Sequence, residues 1–394
     1  MCVTKFWNRT IPVALLGVIC TVAEVGAAEK VDMDQQIAVV LGVGNEGAGN
    51  ERAQTALRHL ENASGGALVK ILEGMDGASP LSLNWLRAAA DTIVDRERQA
   101  GRELPLSNLG EFLLDVRHHP RARRFAYEVI ARESPQAAEQ ILPGMLNDPS
   151  TELRRDAVQR LLDSAKGLEE SGKNADASLL FRQALGAARD VDQIDDLAGG
   201  LRRLGGEVDL PLHFGFLMHW QVIGPFDNTD RRGFETVYPP EEALDLGASY
   251  PGKETSAKWQ PLATSDPYGM LDINQAFGPK KEVTAYAYTE FEADEARSVE
   301  LRLGCKNAWK IWMNGEYIFG RDEYHRGMSI DQYKLPVQLQ KGKNTILVKV
   351  CQNEQVEDWT VEWQFQLRVC DATGTAVLAS NRQPTPQEES VSRR

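Results

Sequence analysis

The stretch richest in reactive side chains is "GRDEYHRG", residues 320–327, which gathers Arg321, Asp322, Glu323, Tyr324, His325 and Arg326. An aromatic ring beside groups that can bond two hydroxyls at once suits a sugar. The ring stacks on C–H faces while the polar groups take the hydroxyls. Trp259 and Tyr268, with Asp266-Pro267 between them, form a second combination of this kind. The candidate carbohydrate-binding residues are therefore Trp259, Tyr268, Arg321, Asp322, Tyr324, His325 and Arg326. A solvated loop whose arginines pair with local acids is the alternative, and the sequence leaves both open.

Other chemistries find less support. The six histidines show no ligand spacing, and Cys-x-x-Cys, His-Glu-x-x-His and Gly-x-Ser-x-Gly are all missing. A calcium ion held by "DNTD" (227–230) is the one cofactor the sequence leaves open; no other metal or cofactor is expected. Glycoside cleavage needs two carboxylates at a set separation, and among 57 acids any pair can be imagined, so no catalytic residue is assigned. Gly42-x-Gly44-x-x-Gly47 is formally a dinucleotide fingerprint. Glu73, the acid for the ribose, lies 26 residues beyond Gly47, and no strand–helix alternation follows. A glycine-rich loop between the first two helices is the expected reading.

Two periodicities position these residues. Residues 32–204 repeat at helical spacing: "LNWLRAAADTIV" (83–94), "RRFAYEVIA" (123–131) and "ELRRDAVQRLLDSA" (152–165) each carry one apolar face. Arg87, Ala89 and Ile93 align with Arg124, Ala126 and Ile130, and these with Arg155, Ala157 and Leu161. Such helix pairs bury their stripes only by stacking. The small Ala lets helices approach, and the Arg is expected to pair with an acid or carbonyl of the next repeat. Asp148-Pro149 is expected to cap the helix at 152, and Gly205-Gly206 to form a hinge.

From residue 212 the period becomes two, and six of the eight tryptophans appear: Trp220, Trp259, Trp309, Trp312, Trp359 and Trp363. Alternating runs such as "VTAYAYTEFEA" (283–293), "NAWKIWM" (307–313) and "NTILVKVC" (344–351) predict an antiparallel sandwich or jelly roll. Asn314-Gly315 predicts a two-residue type I′ turn, and Gly342 a left-handed turn position. Trp309 falls on the face of Ile311 and Met313, whereas Lys310 and Trp312 fall on the other. Four of the six tryptophans are expected as packing. "GPF" (224–226) is expected to end the first strand, and "YPPE" (238–241) to run as extended polyproline.

The 394 residues suggest more than one core. Lys5 and Arg9 precede the apolar run "IPVALLGVIC", and "VGAA" (25–28) offers a cleavage site, as in a Sec signal peptide. Its apolar core is about half a membrane span, so no transmembrane segment is expected. Removing residues 1–28 takes Lys5, Arg9 and Glu24 and moves the net charge from −13 to −14. That charge repels phosphate backbones and argues against a nucleic-acid partner. Cys305, Cys351 and Cys370 then remain, expected as buried small hydrophobes, with a Cys351–Cys370 bridge as the alternative.

The segments "HWQVIGPFDNTDRRGFETVYPPE" (219–241), "WKIWMNGEYI", Arg326 with Asp331, and "VQLQKGKNTILVKV" resemble the β-sandwich of many exported planctomycete-type proteins. That module is related to galactose-binding-like jelly rolls, including the sugar-binding-like domain of family 2 glycoside hydrolases. "GAGNERAQTALRHL", "MDGASPLSLNWLRAAADTI" and the run from Arg123 to Leu162 are similar to the HEAT-like half of the same uncharacterised family. In the glycosidases the jelly roll is an accessory to a catalytic barrel, so the resemblance brings no catalytic residue.

The expected organisation is a signal peptide (1–28), a HEAT-like α-solenoid (29–206), a galactose-binding-like antiparallel β-sandwich (207–379) and a disordered polar tail (380–394). The expected function is an exported, non-enzymatic binding or scaffold protein of the periplasm, envelope or exterior. Its helical repeats would hold a protein partner, and its jelly roll carbohydrate or a second protein. A purely structural envelope subunit and an unrecognised carbohydrate-active enzyme are the alternatives.

Overall fold

The computed structural model describes residues 32–387. The expected signal peptide and the last residues of the expected tail lie outside them. The chain divides into two compact units, one ending at Asn108 and the other beginning at Leu109.

The first unit holds α1 (Met33–Leu41), α2 (Asn50–Glu61), α3 (Leu68–Glu73) and α4 (Pro80–Gln99). Their small and branched residues, among them Val40, Ala53, Leu60, Ile71, Leu86 and Ile93, are buried. Ser79 caps α4 by accepting from the Ser82 amide, with Pro80 in the first turn. The glycine-rich segment after α1 passes through one 3-10 turn into α2, with Gly47 and Gly49 at φ 82° and no strand before it. It is a helix-to-helix loop, as its surroundings in the sequence predict.

The second unit begins within α5 (Leu106–Leu114) and continues through α6 (Pro120–Glu133), α7 (Pro135–Ile141), α8 (Thr151–Glu170), α9 (Asn174–Ala187), α10 (Val191–Arg203) and α11 (Leu210–Phe214). Two of the aligned arginines reach an acid one helix pair further on: Arg124 pairs with Asp156, and Arg155 lies 2.5 Å from Asp192. Arg87, by contrast, pairs with Asp91 of its own helix. The close approach of α9 and α10 rests on Gly200, where a Cβ would meet the Phe181 ring at 2.6 Å. Ser150, not Asp148, caps α8. The Asp148 carboxylate is buried and taken bidentately by Arg123 at 2.8 and 2.6 Å, and it also accepts from the Ser150 amide at 2.8 Å just before the helix.

The strands are β1 (His219–Asp227), β2 (Ser249–Pro251), β3 (Ser256–Lys258), β4 (Gln260–Ala263), β5 (Leu271–Asp272), β6 (Val283–Ala293), β7 (Arg297–Cys305), β8 (Ala308–Met313), β9 (Glu316–Arg321), β10 (Tyr333–Leu339), β11 (Gly342–Gln352) and β12 (Gln364–Cys370). Short helices α12 (Pro239–Glu242) and α13 (Asn274–Phe277) sit between strands. An antiparallel six-stranded sheet, β4-β1-β6-β11-β8-β9, faces a four-stranded one, β10-β7-β12-β5. Between them lie Val222, Ala287, Leu301, Trp309, Ile311, Val348, Trp363 and Leu367. The chain is thus a helical N-terminal region followed by an antiparallel β-sandwich.

The change from helix to strand falls close to the expected boundary at 206/207, yet α8–α11 and the sandwich belong to one compact unit. Phe214 and Phe216 share a buried cluster with Phe181 and Leu197. Arg368 of β12 donates to the Phe214 carbonyl at 3.1 Å and pairs with Asp331. The Tyr268 hydroxyl reaches Asp195 of α10 at 2.5 Å.

Asn314 and Gly315 take φ of 52° and 81°, as a type I′ turn requires, and Gly342 takes 89°. Trp220, Trp309, Trp312 and Trp363 are buried, while Trp359 is 60% exposed. Three expectations are corrected. β1 continues through Pro225, because a register shift between Ile223 and Phe226 makes a bulge where the proline needs no ladder donor. "YPPE" feeds a helical turn, since Pro239 and Pro240 suit the first positions of α12. Residues 380–385 are tied down: Arg382 donates to the Phe216 carbonyl at 2.8 Å, and Thr385 to Asp209 at 2.9 Å. The three cysteines are buried free thiols.

A groove on the outer face of the six-stranded sheet

Strand alternation sends Ile346, Val348 and Val350 of β11 into the sandwich core and Leu347, Lys349 and Cys351 to the opposite face. A charged side chain in the middle of a central strand is unusual, and Lys349 is fully buried. Residues 229–258 explain it, because they fold back over this outer face. The Lys349 ammonium donates to the Phe234 carbonyl at 3.1 Å, the Thr236 carbonyl at 2.7 Å and Glu241 Oε1 at 2.7 Å. All three of its protons are used. Tyr286 donates to the same Glu241 oxygen. Burial lowers the Lys349 pKa and raises that of the Tyr286 phenol.

Between this fastened segment and the β8–β9 hairpin lies a cleft of about 560 Å³. Trp312 and Tyr317 meet edge to face at 5.8 Å within it, and Tyr317 is 55% exposed. Lys310 sits 4.3 Å over the Phe234 ring and 3.0 Å from Glu235. Arg321 and Asp322 close the far side. Partial burial, and then the charge of Glu235, raise the Asp322 pKa. A narrower cavity of about 160 Å³ continues past Trp312 and Glu241 to Leu347. Aromatic faces, carboxylates and two cations thus converge on one open groove, an arrangement that stacks and hydrogen-bonds a polyhydroxylated ring.

The candidate residues read from the sequence do not all meet here. Arg321 and Asp322 line the groove together with Glu323. Tyr324 turns away: its hydroxyl accepts from Asn228 at 3.1 Å, and Arg231 stacks on its ring at 5.2 Å. His325 bonds Asn353 at 2.7 Å and meets Trp359 edge-on at 5.4 Å. Arg326 pairs with Glu323 at 2.6 Å, as the solvated-loop alternative expects. Trp259 and Tyr268 form no common patch. Trp259 packs against Tyr288 on the outer face, and Tyr268 against Phe214 beside the helices. Asp266 separates them by building a turn, accepting from the Tyr268 and Met270 amides.

Lys310, Trp312, Tyr317, Glu235, Glu241 and Lys349 were missed as site residues. Alternation already places Lys310, Trp312 and Lys349 outward. A lysine amid a hydrophobic central strand was the usable signal that something polar covers that face. In the calcium candidate, Asp227 is engaged by Thr229 Oγ1 at 2.7 Å and Lys253 Nζ at 3.1 Å. Among the described residues no group of three or more His, Cys, Asp or Glu is placed to hold a metal ion. A second cleft, of about 460 Å³, borders β1 and β4. There Glu290 is already held by Lys343 and Tyr288.

No family model matches the chain, and no curated protein matches it. Among solved structures the chain is similar to a β-glucosidase from Kluyveromyces marxianus, at 13% identity and a TM-score of 0.24, over 39% of this chain and 16% of that one. The glucose complex of that enzyme aligns over 77% of this chain and 37% of its own, at 12% identity and a TM-score of 0.22. A GH31 α-xylosidase from Xanthomonas citri aligns at 8% identity and a TM-score of 0.16, over 40% of this chain and 16% of that one. The chain therefore spans well under half the length of each. The names describe those enzymes, and likeness at these scores assigns no activity here. Among the described residues no helix is long and apolar enough to cross a membrane.

Proposed function

We propose that the protein is an exported, non-enzymatic binding protein of the cell envelope, with the outer-face groove of its sandwich as a carbohydrate site. One observation carries this reading: Trp312 and the exposed Tyr317 border a cleft whose walls also present Asp322, Arg321 and Glu235. The apolar segment at 11–20 and the resemblance to exported planctomycete-type proteins support export. The stacked helix pairs offer an extended surface for a protein partner, the usual service of such repeats. The test is a glycan array probed with the chain from residue 29 onward. Binding that falls about tenfold in Tyr317→Ala supports the site. Binding unchanged in Tyr317→Ala and Asp322→Ala removes it.

A second reading is favoured by Asp322 itself. A carboxyl with a raised pKa beside a second carboxylate, Glu235, is the pairing that glycoside cleavage uses as acid and base. Release of reducing ends from any bound glycan, abolished by Asp322→Asn, would establish that enzyme. Bound glycan that stays intact leaves the binding protein.

A further inference from the structure

We infer that the loop end of the sandwich beside the groove carries a second sugar contact, the exposed indole of Trp359, so that the ligand is an extended oligosaccharide and not a single sugar. This rests on the reading of the groove as a carbohydrate site.

Trp359 is the most exposed tryptophan among the described residues, at 60%, and Val356 and Val361 beside it are 77% and 44% exposed. The indole nonetheless stands on a fixed base. Its neighbour Thr360 is fully buried and donates to the Gln355 and Glu357 carbonyls at 2.9 and 2.7 Å. The Thr360 carbonyl in turn accepts from Lys281 at 2.8 Å and Gln352 at 3.0 Å. His325, clamped by Asn353, holds the indole edge. An aromatic ring presented rigidly to solvent loses little entropy when a ligand stacks on it.

The platform is continuous with the groove. Loop 320–327 supplies Arg321 and Asp322 to the cleft and, three residues on, His325 to Trp359. Arg231 and Tyr324 fill the space between. The surroundings of the indole also select its occupant. Glu354 is neutralised by Arg231, but Glu357 and Asp358 stand exposed in the chain between Val356 and the indole and make the rim acidic, which disfavours anionic lipid or phosphate. Two valines and one indole are too small a patch for the apolar centre of a stable protein interface. A neutral glycan chain that stacks one ring on Tyr317 and a later ring on Trp359 satisfies both ends.

The experiment uses the chain from residue 29 onward, as wild type and Trp359→Ala, on an array of neutral oligosaccharides from one to eight units. The expected result is affinity that rises with length in the wild type. In Trp359→Ala it should fall about five- to tenfold for the longest chains only, with Trp359→Phe restoring most of it. Identical signals for wild type and Trp359→Ala at every length overturn the inference and leave the groove reading standing. No signal from any glycan overturns both.

Discussion

Lys349 Nζ lies 2.7 Å from Glu241 Oε1, and both groups are desolvated, the lysine completely and the glutamate nearly so. This pair fastens the segment after β1 onto the outer face of the sheet and so builds one wall of the groove. Replacing one partner leaves the other charge buried and alone. Lys349→Met is therefore expected to destabilise the fold by about 3–5 kcal/mol, and the double variant with Glu241→Leu by clearly less. Urea denaturation of the four chains of that cycle measures the coupling, and additive losses contradict the fastening role.

Burial separates two arginine–aspartate pairs of the same geometry. Arg123 and Asp148 are buried, whereas Arg155 and Asp192 stand in solvent. Arg123→Met should cost about 3–5 kcal/mol, and Arg155→Ala less than about 1 kcal/mol, shrinking with added salt. Equal losses in thermal unfolding would contradict that difference.

His213 gives the fold a pH dependence. Burial, and then the positive charge of Arg189, lower its pKa from the usual 6.5 to about 4. The folded state binds its proton later than the unfolded chain does. Stability is therefore complete above pH 6.5 and drains away as the pH falls towards 4, by at most ~3 kcal/mol. His213→Phe should flatten the stability profile across that window, and an unchanged slope between pH 4 and 6.5 contradicts it.

The thiols report burial in the sandwich, Cys305 between its two sheets and Cys351 on the covered outer face. Burial pushes Cys305 up to about 12, and Cys351 and Cys370 up to about 11. Thiolates are the reactive form, so a chromogenic disulfide reagent at pH 8 should label none in the native chain. All three should react on unfolding of the chain from residue 29 onward. A single thiol after unfolding would instead reveal the Cys351–Cys370 bridge.

Much of this architecture follows from local rules. Alternation assigns Trp309 and Trp312 to opposite faces because a strand has period two, and Asn314-Gly315 specifies its turn by backbone geometry alone. The glycine run near residue 44 is legible as a loop because no strand or acid of the required spacing accompanies it. The groove was only half legible. Arg321 and Asp322 stand out by their chemistry, but Tyr324 pairs with Asn228, 96 residues away, and Lys349 with Glu241, 108 residues away. Which side chain covers an outward lysine depends on how a long connection folds back, and no periodicity encodes that. The same holds for Asp148, whose partner Arg123 lies on another helix and shares its carboxylate with the local Ser150 amide.

The most direct test of the groove is a crystal structure of the chain from residue 29 onward, grown with the tightest-binding oligosaccharide from the array. A sugar ring is expected against Tyr317 and Trp312, with its hydroxyls on Asp322 and Arg321. Density for the sugar anywhere else on the molecule, with the groove empty at saturating ligand, contradicts the account.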